Sequence, residues 1–148
     1  MEYKKLVKDL IERTRENYYS YTGNYEVTDL INSSLGLFVF PEQKFFEKIS
    51  DDFVSPELFD ELKSNTENKY GEENNLKNIC NHIRNGIAHF HLKFETKNDE
   101  ISKIIINDKP PKSEIYKFKI SFSIELLEKF FFEFSQAILD DIKGRRQL

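Results

Sequence analysis

The sequence predicts a mainly α-helical bundle with a three-stranded antiparallel β-meander inserted before a long C-terminal helix. Three observations carry this. Apolar residues recur at helical spacing in segment after segment up to Ala88. The period then changes to two: Phe90, Leu92 and Phe94 alternate with His91, Lys93 and Glu95. From Ser123 onward the spacing of Ile124, Leu127, Phe131, Phe134, Ile138 and Ile142 is again helical.

In chain order, Tyr3 to about Tyr18 places Tyr3, Leu6, Val7, Leu10, Ile11 and Thr14 on one side of an amphipathic helix. Tyr21-Thr22-Gly23-Asn24 reads as a turn. Val27, Leu30, Ile31, Ser34, Leu35 and Phe38 make a second helix, which Pro41 ends before a short one over Glu42–Ile49. Ser55-Pro56-Glu57 supplies a cap, a proline at the first helical position and an acid in the first turn, so a helix is expected from Pro56 to Lys63. Ser64 to Gly71 is polar, ends in glycine and is expected to be a loop. The next helix runs from Glu72 to about Ala88 and buries Leu76, Ile79, Cys80, Ile83 and Ile87, with Glu72 and Glu73 favouring its N-terminus through the helix dipole. The strands of the meander are Phe90–Phe94, Ile101–Ile106 and Tyr116–Phe122, separated by a turn at Lys97–Glu100 and a loop holding Pro110-Pro111. Ser123 caps the last helix, Gly144 stops it, and Lys143 to Arg146 form a solvated tail. In the run Phe130-Phe131-Phe132-Glu133-Phe134 the rings belong to the core, except Phe132, which lies off the stripe.

The 148 residues, 39% apolar and 32% charged, suit one soluble globular domain over 1–148. With Phe 14 and Tyr 7, such a chain fills a core without staples. The formal charge of −4 excludes a global polycation, so any nucleic-acid contact needs a local basic patch. A single cysteine, Cys80, excludes an internal disulfide and fits a reducing cytoplasm. No signal peptide and no membrane span are expected, because even Leu35–Phe40 is far too short an apolar run.

The chemistry concentrates in Asn78–His91, which holds all three histidines, Arg84, two further asparagines and Gly86. At roughly 100° per residue, His82, Asn85, Gly86 and His89 share one narrow stripe beside the buried Ile79, Ile83 and Ile87. Gly86 costs about 1 kcal/mol of helix stability relative to alanine, so something tight must offset it, such as a second helix or a phosphate. A two-fold partner meeting it there is the expectation. Arg84 is about 140° round the helix from His89. Its side chain swings back, the helix loosens at Gly86, or Arg84 serves a site built with a second subunit. Periodicity alone also fits a structural account, with His82 and His89 as hydrogen-bonded interface histidines and Arg84 in a salt bridge. A metal at His82, His89 and His91 is the rival use, disfavoured because no cysteine or acidic cluster stands beside them at ligand spacing. No cofactor is expected. Strand alternation collects His91, Lys93, Lys117 and Lys119 on the outward face of the meander, the most basic surface near these residues, and places Phe90, Leu92, Phe94, Tyr116, Phe118 and Ile120 on the buried face.

Arg84, Asn85 and His89 match in full the Arg-Asn-x-x-x-His motif, and the segment resembles that of HEPN domains. The Asn85-Gly86-Ile87-Ala88-His89-Phe90 form, the stretch Leu35 to Glu42, and the hairpin and long helix after the motif are similar to a HEPN subfamily of plasmids and other mobile elements. The resemblance covers roughly residues 20 to 140. It implies a metal-independent endoribonuclease, with Arg84, Asn85 and His89 catalytic and His82, His91, Lys93, Lys117 and Lys119 contacting RNA. It implies a homodimer through the motif helix and a toxin or anti-phage defence role, with an antitoxin or defence-operon partner. A non-catalytic HEPN module binding RNA or a protein is the alternative. HEPN toxins paired with nucleotidyltransferase antitoxins carry a modifiable tyrosine two residues after the histidine. Here that position is His91, so the resemblance does not extend to modification there or to a nucleotidyltransferase partner.

Overall fold

The computed structural model describes residues 3–146, with side chains over 5–144. Six helices and four strands follow in the order α1 (Tyr3–Ser20), α2 (Glu26–Gly36), α3 (Gln43–Glu47), a 3-10 turn at Asp51–Phe53, α4 (Pro56–Ser64), β1 (Thr66–Asn68), α5 (Leu76–Ala88), β2 (Leu92–Lys97), β3 (Glu100–Asp108), β4 (Phe118–Ser123) and α6 (Ile124–Arg146). Both serine caps form. Ser55 Oγ accepts from the Leu58 N–H at 3.2 Å, and Ser123 Oγ accepts from the Leu126 N–H at 3.1 Å.

The apolar stripes meet in one core. Helix α6 packs against α1, α2, α4, β3 and β4. Phe130, Phe131 and Phe134 of α6 are fully buried, and Phe38 stacks against both Phe130 at 5.8 Å and Phe134 at 5.4 Å. Each buried phenylalanine stabilises the fold by about 1.5–3 kcal/mol, and each stacked pair by roughly 0.5–1.5 kcal/mol more. Phe132 alone of the run stays exposed, under the Arg15 guanidinium at 5.1 Å. Gly144 does not end α6, which continues to Arg146. A glycine weakens a helix by only about 1 kcal/mol and stops it only by turning left-handed. Among the described residues no helix is long and apolar enough to cross a membrane.

The sheet has four strands, not three, in the order β1-β4-β3-β2, all antiparallel. The added strand comes from the segment expected to be a loop. Thr66, Glu67 and Asn68 pair with Ile120, Lys119 and Phe118 and cover the otherwise open edge of β4. Three polar residues show no period, so only the long-range ladder reveals them. The turn Asn98-Asp99 has positive φ at both positions, 54° and 64°, the geometry of a tight two-residue hairpin.

The buried face of the sheet also differs from expectation. Phe118, Ile120 and Phe122 face the helices as their alternation requires. Phe94 is 43% exposed and Tyr116 41%, and Phe90 lies outside β2 at 76%. Strand β2 is the sheet's free edge, and β3 is buried only over its second half, so the hairpin end projects beyond the helical layer. Phe94 lies opposite Ile104, but only Ile104 is covered.

Candidate functional site

Helix α5 carries the motif and is fixed at both ends. It starts at Leu76 rather than Glu72, because Asn75 Oδ1 accepts from the Asn78 N–H at 2.8 Å and Asp51 Oδ1 from the Leu76 N–H at 2.9 Å. Leu76, Ile79, Cys80 and Ile83 are buried without exposure, and burial pushes the Cys80 thiol up. At the far end His89 is the cap residue. The Phe90 N–H donates to Ile87 O at 3.1 Å and the His91 N–H to Gly86 O at 2.8 Å, the two bonds of a Schellman closure. That closure puts the next residue in the left-handed region, normally glycine. Here it is Phe90, at φ 55°, a conformation costing a bulky residue about 1–2 kcal/mol.

The close approach that Gly86 permits is internal. A Cβ there would stand 2.5 Å from Ile106 Cγ2 and 2.6 Å from the Asn107 carbonyl oxygen. Helix α5 therefore lies directly on β3, and His82 and Gly86 of the stripe are buried toward the end of that strand, while Asn85 stays exposed.

His82 is 9% exposed and held on every side. Its Nδ1 is 2.6 Å from Asp108 Oδ2, and its Nε2 meets Glu72 Oε1. Tyr70 stacks on one neighbouring ring face at 4.4 Å and Phe118 stacks at 4.7 Å. Both ring nitrogens are thus committed inside the protomer, so the expected RNA contact at His82 gives way to an internal clamp. The same Asp108 Oδ2 accepts from Asn85 Nδ2 at 3.3 Å, and Asp108 Oδ1 accepts from the Lys109 N–H at 2.9 Å. Burial, then the charge of Asp108, pushes the Tyr70 hydroxyl up to about 12. Burial raises the Glu72 carboxyl, but hydrogen bonds from Asn68 and His82 outweigh it and hold the group below its ordinary value. Glu72 therefore serves His82, not the dipole of α5.

Of the motif residues, Asn85 and His89 are exposed and Arg84 is half-buried. His89 stacks on His91 at 5.8 Å, and His91 meets Tyr116 edge-on at 5.3 Å. Arg84 turns the other way. Its guanidinium lies 4.0 Å from the Phe46 ring centroid and donates to Gln43 Oε1 at 2.5 Å, both on α3. Helix α5 is continuous through Gly86, and Arg84 does not swing back toward His89 within the protomer.

Lys93, Lys117 and Lys119 are exposed, but the outward sheet face is mixed in charge. Glu67 stands opposite Lys119, and Glu95 is 3.8 Å from Lys103. Lys117 lies at the sheet's end, with Nζ 6.0 Å from the Tyr70 ring. Among the described residues no group of three or more His, Cys, Asp or Glu side chains is arranged to hold a metal ion.

A family model described as HEPN pEK499 p136 matches residues 1–145. The chain belongs to this HEPN family. No curated protein and no solved structure matches it. The HEPN match spans all six helices up to residue 145, and the family's name ties it to a plasmid. What sequence reasoning missed in this HEPN chain is the clamp. Tyr70, Glu72 and Asp108 lie outside the motif, and the two carboxylates are 10 and 26 residues from His82. The only local signal was Asp108 following the β-branched run Ile104–Ile106.

Proposed function

We propose that this HEPN protein is a metal-independent endoribonuclease that cleaves RNA by attack of the 2′-hydroxyl, working in the cytoplasm as a toxin or in anti-phage defence. The observation that carries the reading is His89. It caps α5 at the surface with no hydrogen bond to its ring among the described residues, one helical turn beyond Asn85, whose side chain is held by Asp108. RNA brings its own nucleophile, so the protein needs a base for the 2′-hydroxyl proton and an acid for the departing 5′-oxygen. Imidazole performs either role near neutral pH. Two copies of His89 in a two-fold dimer supply both, and the products are a 2′,3′-cyclic phosphate and a 5′-hydroxyl. Arg84 stabilises the charge on the non-bridging phosphate oxygens, and Asn85 orients the phosphate. His91, Lys93, Lys117 and Lys119 hold the strand.

The test is purified protein with total RNA in chelator. His89→Ala and Arg84→Ala each lose about 10²–10⁴-fold in rate, the usual scale of acid–base catalysis, while their circular dichroism matches wild type. Equal cleavage by His89→Ala removes the assignment. Cleavage lost to chelator and restored by a divalent ion removes the metal-free mechanism, and a monomer in solution scattering removes the paired histidines.

A second reading, a non-catalytic HEPN module that binds RNA or a protein partner, is favoured by Arg84, whose guanidinium rests on Phe46 and Gln43 and faces away from His89. RNA bound but left intact by wild type would select it.

A further inference from the structure

We infer that Phe90, which lies between His89 and His91 in the chain, is a stacking subsite for an unpaired nucleobase of the RNA strand, an inference that rests on the nuclease reading and narrows its substrate to single strands and loops. Phe90 is 76% exposed and adopts φ 55°. Its ring buries almost nothing in the protomer, and glycine would close the helix there without strain. Neither packing nor backbone geometry accounts for a phenylalanine at this point, so its use lies outside the protomer.

The surroundings identify the occupant. His89 precedes Phe90 directly, and the His89, His91 and Tyr116 rings form a row with neighbouring centroids 5.8 Å and 5.3 Å apart. Exposed cations follow in the chain at Lys93 and Lys117. Aromatic faces interleaved with histidine and lysine match a nucleic-acid strand, whose bases stack while its phosphates meet cations. Duplex RNA cannot use the ring, because its bases already stack on one another.

The chain contains no tryptophan, so Phe90→Trp creates a single indole reporter at the subsite. The probe is a short single-stranded RNA with 2′-O-methyl riboses, which lacks the nucleophile and stays intact. The expected result is quenching of the indole emission by the single strand and not by a duplex of the same sequence. Phe90→Ala binds the single strand roughly 5- to 150-fold more weakly, the scale of one base–aromatic stack, while Phe90→Tyr retains binding. Phe90→Gly separates function from folding: it melts no lower than wild type yet binds as poorly as Phe90→Ala.

Unchanged emission, or wild-type affinity in Phe90→Ala, overturns the subsite. Wild-type protein that cleaves RNA with the same KM as Phe90→Ala likewise overturns the subsite and leaves the nuclease reading standing. Quenching by the probe, when wild type leaves unmodified total RNA intact, upholds the subsite and removes the nuclease. A dimer that dissociates in Phe90→Ala at unchanged concentration makes the ring a protein contact and overturns the proposal.

Discussion

Replacing Gly86 with alanine tests which way the motif helix faces. The new Cβ would sit 2.5 Å from Ile106 Cγ2 and 2.6 Å from Asn107 O, where ordinary contact begins at 3.4 Å. The isoleucine methyl can rotate away, but the carbonyl belongs to the β3 backbone, so α5 must retreat by about 0.8 Å, the gap between 2.6 Å and 3.4 Å, against that oxygen. Overpacking of this kind costs about 1–3 kcal/mol, and alanine returns about 1 kcal/mol of helix propensity. The retreat also stretches the bonds from His82 and Asn85 to Asp108, which places the net loss near ~2 kcal/mol. For a chain of this size that lowers Tm by about 4–8 °C. The assay is thermal unfolding by circular dichroism over a range of protein concentrations, with scattering for oligomeric state. The fall in Tm is expected to be independent of concentration. An unchanged or raised Tm, or an intact fold that merely loses its dimer, would refute the internal packing of Gly86.

His82→Ala leaves Asp108, 4% exposed, without its main partner; breaking such a buried pair costs about 3–5 kcal/mol in urea unfolding, and a cost near zero would dismiss the clamp. Glu72 has a carboxyl depressed in the folded state, so it adds stability above its unfolded value of 4.5 that is lost as pH falls through the lower folded value. Glu72→Gln should therefore flatten the acid limb of stability against pH, and superimposable acid limbs would contradict this. Lys93→Glu with Lys119→Glu should weaken RNA binding and lower the salt slope by about one per lysine; an unchanged slope at several salt concentrations would take the sheet out of the RNA path.

Most helices were legible because their signals are local. Ser55 and Ser123 announce α4 and α6 through a side-chain oxygen and a free N–H three residues on. The true start of α5 was legible by the same rule, since Asn75 immediately precedes the first apolar residue of the stripe, yet the acids at 72 and 73 pulled the expected boundary earlier. β4 alternates in sequence as it does in space. β1 was not legible: its pairing with β4 joins residues at least fifty positions apart and leaves no trace in Thr66-Glu67-Asn68. Phe90 and Phe94 show a different limit. Alternation tells which residues share a face but not how far the helices extend over it, and on an edge strand that coverage decides burial.

The division of labour along α5 bears on how many copies make a site. His82 and Asn85 are tied through Asp108 to β3, so the polar groups of the first half of the stripe are held within the protomer. His89 and Phe90 stand beyond the last helical turn and are free to meet a ligand. Arg84 is the exception, because the helical angle that separates it from His89 also delivers it to α3. Drawing its guanidinium onto the phosphate attacked beside its own His89 means giving up the Phe46 ring, worth roughly 0.5–2 kcal/mol, and the Gln43 hydrogen bond, worth about 1.5–3 kcal/mol to a charged group. It would also have to cross the helix. The Arg84 of a second copy has the same two contacts on its own α3, but it keeps them if that face itself meets His89, and it has no helix to cross. The nuclease reading is therefore most coherent as a two-copy site in which Arg84 acts across the two-fold axis. It is least coherent as a site complete within one chain.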